Sequence, residues 1–201
     1  MSEIAPTAME INPVTLEGRF VRLEVLSMAH HAGLCEVGMD EDLWRWIPEP
    51  VRTPEEMRAY IETALAEQAA GTALPFATVE RSSGRPIGST RFGNIDRRHR
   101  RVEIGWTWLA KPWQRTAANT EAKYLMLRHA FETWGAMRVE LKTDSLNARS
   151  RAAILRIGAK EEGTLRNHMM TSTGRIRHTV YFSVVDSEWP GVKSRLEQML
   201  L

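Results

Sequence analysis

The sequence predicts a mixed α/β (α+β) fold, in which helices flank one largely antiparallel sheet. Three observations support this class. The composition of the 201 residues, 43% hydrophobic and 26% charged, is that of a globular domain. The period of the apolar residues changes repeatedly between two and about 3.6, as strands and helices require. Hairpin-like strands precede one strand–helix–strand unit, so the sheet should be antiparallel at first and parallel locally.

The first half of the chain is predicted to hold three strands and two helices. Thr53 and Glu56 form a capping box around Pro54, and apolar residues then recur at helical spacing. Alternating apolar residues, separated by turn residues, indicate the strands. In chain order the predicted elements are a strand at 20–26, a helix at 27–38, a helix at 54–69, and strands at 74–80 and 86–93.

The second half is predicted to hold four strands and three helices. After Pro112 the apolar period becomes helical, and Gly135 ends that helix. Thr173 and Gly174 mark the turn of a hairpin. In chain order the predicted elements are a strand at 101–109, a helix from about 119, a strand at 138–143, a helix at 147–157, strands at 163–170 and 176–185, and a last helix capped by Ser187.

The strand at 101–109 has the clearest alternation in the chain. Successive side chains of a strand point to opposite faces of the sheet. The alternation therefore predicts that one face carries Val102, Ile104, Trp106 and Trp108, and that the other carries Glu103, Gly105, Thr107 and Leu109.

The chain is expected to form a single domain over residues 15–201, preceded by a flexible arm at 1–14. Its one cysteine, Cys35, excludes an internal disulfide and a cysteine metal cluster, and it suits a reducing, cytoplasmic setting. No apolar run approaches the ~20 residues of a membrane span. The first residues lack a basic end followed by an apolar core, so we expect no signal peptide and no membrane partner.

The two halves of the chain carry opposite charge. Residues 1–96 contain 8 basic and 15 acidic residues, whereas residues 97–201 contain 19 basic and 10 acidic residues. Such a field can hold an anion in the second half and attract a cation to the first. Charges scattered over a solvated surface would give the same count, so the asymmetry alone assigns no ligand.

The loop at 114–120 is the best candidate for an anion site. It follows a strand and opens a long helix, whose first N–H groups are unpaired and carry partial positive charge. Thr116, Ala117 and Ala118 are small enough to let a phosphate approach the backbone, and Arg115 adds charge. The alternative is an ordinary helix start that is capped by Asn119 or Thr120 and binds nothing.

Several motifs follow this loop in a characteristic order and spacing. They begin with Gln114-x-x-Ala117-x-Asn119 and continue with Glu121-Ala122, Phe131, the strand at 138–143, Asn147-x-x-Ser150 and Gly158-Ala159-x-x-Glu162-Gly163-x-Leu165-Arg166. From Glu17 to about Trp189 the sequence resembles GNAT N-acetyltransferases of the RimJ/RimL-like group. That family has Gln/Arg-x-x-Gly-x-Gly/Ala at the first motif, so Ala117 and Asn119 depart from its pattern.

The resemblance implies a splayed GNAT-type sheet and acetyl-coenzyme A as the acetyl donor. The pyrophosphate would lie on the backbone amides of 115–120, and the pantetheine would run beside 106–109. No metal is implied, and the six histidines show no ligand spacing. The implied cofactor-binding residues are Trp106, Thr107, Trp108, Leu109, Gln114, Arg115, Thr116, Ala117, Ala118, Asn119, Thr120, Asn147 and Ser150.

The resemblance also implies catalytic roles. Glu103 would take the proton of the acceptor amine, and Ser150 would protonate the leaving thiolate. His168 is a reserve base. Each residue has a structural alternative: a surface ion pair with Arg101 or Arg91 for Glu103, a polar residue in the first turn of a helix for Ser150, and a plain strand histidine for His168. Asn147 could be a helix cap instead of, or as well as, a cofactor ligand.

Trp44 and Trp46 are candidate substrate-binding residues, together with Glu103. The resemblance implies that the loop between the first two helices helps to form the acceptor site. Four acidic residues nearby would suit a cationic amine, namely Asp40, Glu41, Asp42 and Glu49. The alternative is hydrophobic packing of the two tryptophans beside a solvated acidic loop.

The predicted function is transfer of an acetyl group from acetyl-coenzyme A to a primary amine, which is a small amine, an amino acid or a protein N-terminus. A coenzyme A-binding protein without turnover is the first alternative. A nucleic-acid-binding module is a weaker alternative, because the basic run 97–101 lacks interleaved aromatic residues and is best interpreted as an exposed turn. Apolar residues at Met199 to Leu201 would allow a homodimer.

Overall fold

The computed structural model describes residues 9–201, which form eight strands and six α-helices. The strands are β1 (Leu16–Glu17), β2 (Val21–Val25), β3 (Leu74–Glu80), β4 (Pro86–Asp96), β5 (Arg101–Leu109), β6 (Arg138–Asp144), β7 (Lys160–Met170) and β8 (Ile176–Val185). The helices are α1 (His31–Gly38), α2 (Glu41–Trp44), α3 (Pro54–Ala69), α4 (Ala117–Arg128), α5 (Ala148–Arg156) and α6 (Trp189–Leu200).

All eight strands belong to one sheet with the order β1-β2-β3-β4-β5-β6-β8-β7. Of the strand pairs in the described chain, only β5 and β6 are parallel, because α4 carries the chain back across the sheet between them. The other pairs are antiparallel. The predicted class, a largely antiparallel sheet with a local parallel unit, is therefore confirmed.

Helices cover both faces of the sheet and bury two apolar clusters. One cluster lies between the sheet and helices α4, α5 and α6, and it includes Val102, Ile104 and Leu109 of β5. The other lies against α1, α2 and α3 and includes Trp44 and Trp108. The sheet thus buries apolar side chains on both faces. This agrees with strands such as β3, in which nearly every residue is buried.

Residues 9–14, the described part of the predicted arm, have no regular structure but are packed. Met9 exposes 2% of its surface, and Ile11 and Val14 pack against the first cluster. Residues 1–8 of the predicted arm lie outside the described residues. No helix in the described part of the chain is long and apolar enough to cross a membrane.

The predicted assignment of faces along β5 is wrong beyond Gly105. Ser89 of β4 pairs with Trp108, and Arg91 pairs with Gly105, so two residues of β5 oppose one of β4. This bulge inserts one residue, with Trp106 at φ 50°, and reverses the later alternation. Val102 and Ile104 accordingly belong to the first apolar cluster, while Trp108 belongs to the second.

Most other elements lie within a few residues of their predicted bounds. The capping box of α3 is present, since Thr53 Oγ1 accepts a hydrogen bond from the backbone N–H of Glu56. The predicted helix from about 119 begins at Ala117 and ends in a π-helical turn at His129–Thr133. The two-residue β1 and four-residue α2 are too short to show a period, so the sequence did not predict them.

Glu121 joins α4 to the turn between β1 and β2. Its carboxylate is buried and accepts hydrogen bonds from the backbone N–H groups of Arg19, Phe20 and Val21, each at 2.7 Å. Gly18 lies against this carboxylate, since a Cβ there would come within 2.5 Å of it. The motif residue Glu121 therefore has a structural use in this chain.

We expect Glu121→Ala to lower the free energy of unfolding by about 3 kcal/mol, because three backbone donors lose a buried, charged acceptor. Urea denaturation followed by circular dichroism measures this change. The control is Glu62→Ala, which removes an exposed carboxylate from α3 and should alter stability by less than about 0.5 kcal/mol. Equal effects of the two substitutions would contradict the assigned structural use.

Candidate active site

The sheet opens between β5 and β6. These strands pair only from Arg101 and Arg138 to Glu103 and Glu140. From Ile104 onward β5 has no strand beside it on this edge, so backbone groups along its second half lack ladder partners there. The opening leaves room for a ligand that can pair with an extended backbone.

The bulge of β5 lies at this opening. The ring of Trp106 lies over Gly93, where a Cβ atom would come within 2.4 Å of the ring, so only glycine fits beneath it. The Arg91 guanidinium lies 4.9 Å from the centroid of the same ring. Trp106 and Thr107 are half-buried, whereas Trp108 and Leu109 are buried. Trp106 and Thr107 are therefore the bulge residues whose side chains remain partly accessible.

The loop before α4 is exposed at Arg115 and Thr116. Arg115 is exposed and has a φ of 61°. Thr116 is the N-cap, with its Oγ1 accepting from the N–H of Ala118 at 3.2 Å, so neither Asn119 nor Thr120 caps this helix. Ala117 is the first helical residue, and the left-handed conformation that favours glycine falls at Arg115 instead.

Two side chains connect this loop to its surroundings. Gln114 donates a hydrogen bond to the carbonyl oxygen of Leu109 at 2.7 Å and accepts one from Arg149 at 2.9 Å. Thr120 is buried, and its hydroxyl accepts a hydrogen bond from Arg156 at 3.2 Å. The loop is thereby tied to the end of β5 and to α5, which lie on either side of the opening.

Asn147 and Ser150 lie at the start of α5. The Asn147 side chain accepts a hydrogen bond from the N–H of Ser150 at 3.0 Å and is the N-cap of this helix. The capping alternative is thus present, and it uses only the amide oxygen. Its NH₂ group remains a donor that could face a ligand.

Glu103 lies at the base of a cleft. Its carboxylate exposes 2% of its surface and is bound by Lys142 Nζ at 2.9 Å and by Asn94 Nδ2 at 2.7 Å. Its partners are therefore not Arg101 or Arg91, which the structural alternative named. The cleft has a volume of about 800 Å³, and its lining includes Asn94, Arg97, Arg101, Glu103, Glu140 and Tyr181.

The structure separates the two candidate tryptophans. Trp44 exposes 2% of its surface, packs against Trp108 at 5.3 Å between ring centroids, and donates from Nε1 to the carbonyl oxygen of Gly38. This is core packing, so direct substrate contact by Trp44 finds no support. Trp46 is half-buried, and Arg177 of the β7–β8 hairpin donates a hydrogen bond to its carbonyl oxygen at 3.2 Å.

The acidic loop beside these tryptophans is partly neutralised. Lys111 Nζ lies 2.7 Å from Asp40 Oδ2 and 2.9 Å from Asp42 Oδ2. The hydrogen bond from Lys111 is the main reason that the pKa of Asp40 lies below its usual value. The expected attraction of this loop for a cationic amine is therefore reduced by a lysine of the chain itself.

The β7–β8 hairpin contributes side chains to the face of the sheet that carries Glu103. Tyr181 of β8 lies directly opposite Lys142 of β6. His168 is exposed, contacts Tyr181 edge-to-face at 5.9 Å, and lies 3.0 Å from Thr179 Oγ1. Arg177 is buried, and this burial lowers its pKa, with Asp144 acting in the opposite direction. The reserve base and Lys142 therefore both approach the ring of Tyr181.

The basic run 97–101 forms a turn, as predicted, with Arg97 and Arg98 exposed. Arg100 donates to the carbonyl oxygen of Gly135, and Arg101 pairs with Asp96 and Glu140. Two of the basic side chains are thus used within the protein. Among residues 9–201, no cluster of three or more His, Cys, Asp or Glu residues is arranged to hold a metal ion.

The comparison with protein families decides the classification. The model of the acetyltransferase (GNAT) domain matches residues 21–160. The chain belongs to the GNAT family. Members of this family are N-acetyltransferases, which transfer an acetyl group from acetyl-coenzyme A to an amine, and both the resemblance and the activity predicted from the sequence are confirmed.

Known GNAT proteins resemble the chain in sequence and in structure. A GCN5-related N-acetyltransferase from Brucella melitensis is 32% identical, with a TM-score of 0.88 over 95% of this chain and 87% of that chain. RimJ of Mycobacterium smegmatis, solved in complex with CoA-disulfide, shares the fold with a TM-score of 0.78 at 23% identity, covering 89% of this chain and 88% of that chain.

A relative in Bacillus subtilis strain 168, YdaF, is named provisionally as a ribosomal N-acetyltransferase. It is 34% identical over 110 residues, which are 55% of this chain and 59% of that protein. The matched part thus spans less than two thirds of the relative.

The surroundings of Glu103 contain residues that sequence reasoning missed. Asn94, Lys142 and Tyr181 surround Glu103 or its partner, and they come from three different strands. Lys142 carried one usable signal, since Glu140 and Lys142 alternate with the apolar residues Val139 and Leu141. That signal places the lysine on a face of β6 but cannot reveal which strand it faces.

Proposed function

We propose that this GNAT protein binds acetyl-coenzyme A in the opening between β5 and β6 and acetylates a primary amine that enters the cleft at Glu103. The observation that carries the proposal is the position of Glu103, which is the last residue of β5 to pair with β6 before the strands separate. A carboxylate at this point adjoins both the open edge of β5 and the cleft.

The residues beside the opening fit the parts of the donor. The backbone N–H groups of 115–120, apart from that of Ala118, which Thr116 caps, and the charge of Arg115 suit the pyrophosphate. The unpaired edge of β5 over 106–109 suits the amides of pantetheine, which can extend the sheet. Asn147 offers its NH₂ group to the same molecule, and Ser150 lies beside it at the start of α5.

The proposed reaction is a direct attack without a covalent enzyme intermediate. Glu103 accepts a proton from the acceptor ammonium, directly or through water, and the amine attacks the thioester carbon. A backbone N–H near Trp108 stabilises the developing oxyanion. The carbon–sulfur bond then breaks, and Ser150 supplies a proton to the thiolate. The second proton of the attacking nitrogen restores the serine hydroxyl, and the first passes from Glu103 to solvent.

We propose a protein N-terminus as the acceptor, in preference to a small amine or an amino acid. The cleft of about 800 Å³ has exposed Arg97 at its edge and is not closed by the buried Trp44. Leu165 and Tyr181 of the β7–β8 hairpin form part of its wall. The provisional name of the Bacillus subtilis relative is consistent with this acceptor class.

Calorimetric titration tests the donor site. We expect acetyl-coenzyme A to bind with micromolar affinity and Arg115→Gln to weaken binding about fivefold, because a charge–phosphate contact contributes about 1 kcal/mol. Asn147→Asp should weaken binding at least as much, since aspartate keeps the helix cap but cannot donate and repels phosphate.

The control for both variants is Arg195→Gln, which removes an exposed arginine from α6 and should bind normally. Equal affinities in all four proteins would refute the assignment of 115–120 and Asn147 to the donor.

The alternative without turnover is motivated by Ala117 and Asn119, which replace small residues of the family motif. Release of free thiol from acetyl-coenzyme A, dependent on an added peptide with a free N-terminus, separates the two functions. Tight binding without thiol release from any amine would favour the binding protein.

A further inference from the structure

A primary amine of the chain itself lies beside Glu103, a residue that lines the cleft. Lys142 Nζ lies 2.9 Å from the Glu103 carboxylate, 5.6 Å from the centroid of the Trp106 ring and 5.9 Å from that of Tyr181. A carboxylate with two aromatic faces is a favourable environment for an alkylammonium group. Lys142 thus occupies the surroundings that an acceptor amine would need.

The strand register explains why this lysine reaches the site. Glu103 pairs with Glu140, and Lys142 is two residues further along β6 on the same face, where β5 has moved away. Its opposite neighbour on β8 is Tyr181. The amine therefore lies at the opening itself, beside the bulge of β5.

We propose that Lys142 is a self-acetylation site. This inference rests on the proposed function, because it requires acetyl-coenzyme A in the opening. Glu103 takes a proton from the Lys142 ammonium, and Nζ attacks the thioester carbon. A carbon–nitrogen bond forms, the nitrogen loses its second proton and the carbon–sulfur bond breaks. One of the two protons ends on the thiolate and the other passes through Glu103 to solvent, giving acetyl-lysine and free coenzyme A.

The other four lysines of the chain allow a clear test, because they differ in exposure and in partners. Lys160, Lys111 and Lys193 expose 74%, 53% and 34% of their side chains and pair with surface carboxylates. Lys142 exposes 20%. Spontaneous acetylation follows exposure and would modify Lys160 first, whereas acetylation assisted by Glu103 would modify Lys142 first.

Lys123 resembles Lys142 in one respect, because its amine is also shielded from solvent. It exposes 7% of its surface and donates to Thr107 Oγ1 at 2.6 Å, on the other face of β5 from Glu103. Among the described residues, no carboxylate oxygen lies within 4.0 Å of its Nζ. Because it is buried on the face of β5 opposite Glu103, it should remain unmodified.

Acetylation of Lys142 would also affect the external reaction. The product amide is neutral and bulkier, and it would remain in the place where an acceptor ammonium should bind. Glu103 would lose its cationic partner and keep only Asn94. Turnover of an external amine should therefore fall as modification of Lys142 increases.

The experiment is a time course of the full chain with acetyl-coenzyme A and no added amine, analysed by peptide mass spectrometry. We expect one early acetyl group per chain on Lys142, ahead of Lys160. Glu103→Gln should slow labelling of Lys142 by about a hundredfold without changing Lys160. The matched control, Glu132→Gln, disrupts a Glu–Lys pair of 2.8 Å outside the cleft and should label like the original protein.

Labelling of Lys160 or Lys123 ahead of Lys142, or an equal rate in Glu103→Gln, would overturn the proposal. Lys142→Arg keeps the positive charge and confirms the site if the early acetyl group disappears. Thiol release with an external peptide separates the two failures. If thiol release persists while Lys142 stays unmodified, only this inference fails. If there is neither thiol release nor binding of acetyl-coenzyme A, the proposed function fails as well.

Discussion

Glu103→Gln is expected to lower kcat for an external amine about a hundredfold and to change affinity for acetyl-coenzyme A little. The substitution keeps the size of the side chain and a contact with Asn94, but it removes the base. Loss of a general base typically lowers a rate by about 10²–10⁴-fold. Steady-state thiol release measures kcat, and calorimetry measures the donor affinity.

The pH profile distinguishes a base from a structural carboxylate. Because a glutamine side chain cannot accept the proton, the reaction of the variant would depend on amine that is already deprotonated in solution. A peptide N-terminus loses its proton near about pH 8, so activity of the Glu103→Gln variant should recover steeply up to about pH 9. The Glu132→Gln control should keep both kcat and the pH profile of the original protein. A variant whose activity is low at every pH by one constant factor would contradict the role of Glu103 as a base.

Lys123→Met is expected to raise the free energy of unfolding by about 3 kcal/mol near neutral pH, because it removes a buried charge. Lys123 of α4 is buried against β4 and β5. The hydroxyls of Thr107 and Thr90 lie 2.6 and 3.5 Å from its Nζ. Burial lowers its pKa from 10.5 to about 7, because no nearby anion compensates the charged form.

The pH dependence follows from this lowered pKa. Between about pH 7 and 10.5 the folded state keeps Lys123 neutral while the unfolded chain protonates it, so proton binding favours unfolding. Stability should rise as the pH increases through this range, and the full penalty should apply below about pH 7. The methionine side chain of the variant carries no charge, so the gain should be largest near pH 7 and should disappear near pH 10.5.

Urea denaturation at several pH values between about 6.5 and 10 measures the difference between the two proteins. Other titrating groups contribute equally to both proteins, so they cancel in the difference between the two free energies of unfolding. Lys193→Met is the control, since Lys193 is part of a surface ion pair and its loss should change stability by less than about 1 kcal/mol. If the free energy of unfolding of the Lys123→Met variant depended on pH in the same way as that of the original protein, Lys123 would not titrate as assigned.

The sequence predicted the elements well where local signals are strong. The capping box of α3, the Gly135 stop and the hairpin about Gly174 are determined within a few residues of chain, and the structure contains each of them. It also predicted Glu103, the loop at 114–120 and Asn147 as site residues, largely because motifs over much of the chain resemble one family. Their assignment to the donor and to proton transfer stays a prediction.

The sequence alone therefore determined the fold class, the order of elements, the GNAT family and the positions of the motif residues. Only the tertiary structure decided which side chains meet. The bulge at Trp106 reversed the faces of β5, Trp44 entered the core, and Lys142 joined Glu103 and Tyr181. The physical reason is that helix and strand signals arise from neighbouring residues, whereas a bulge and a contact between strands depend on pairing between segments far apart in the chain.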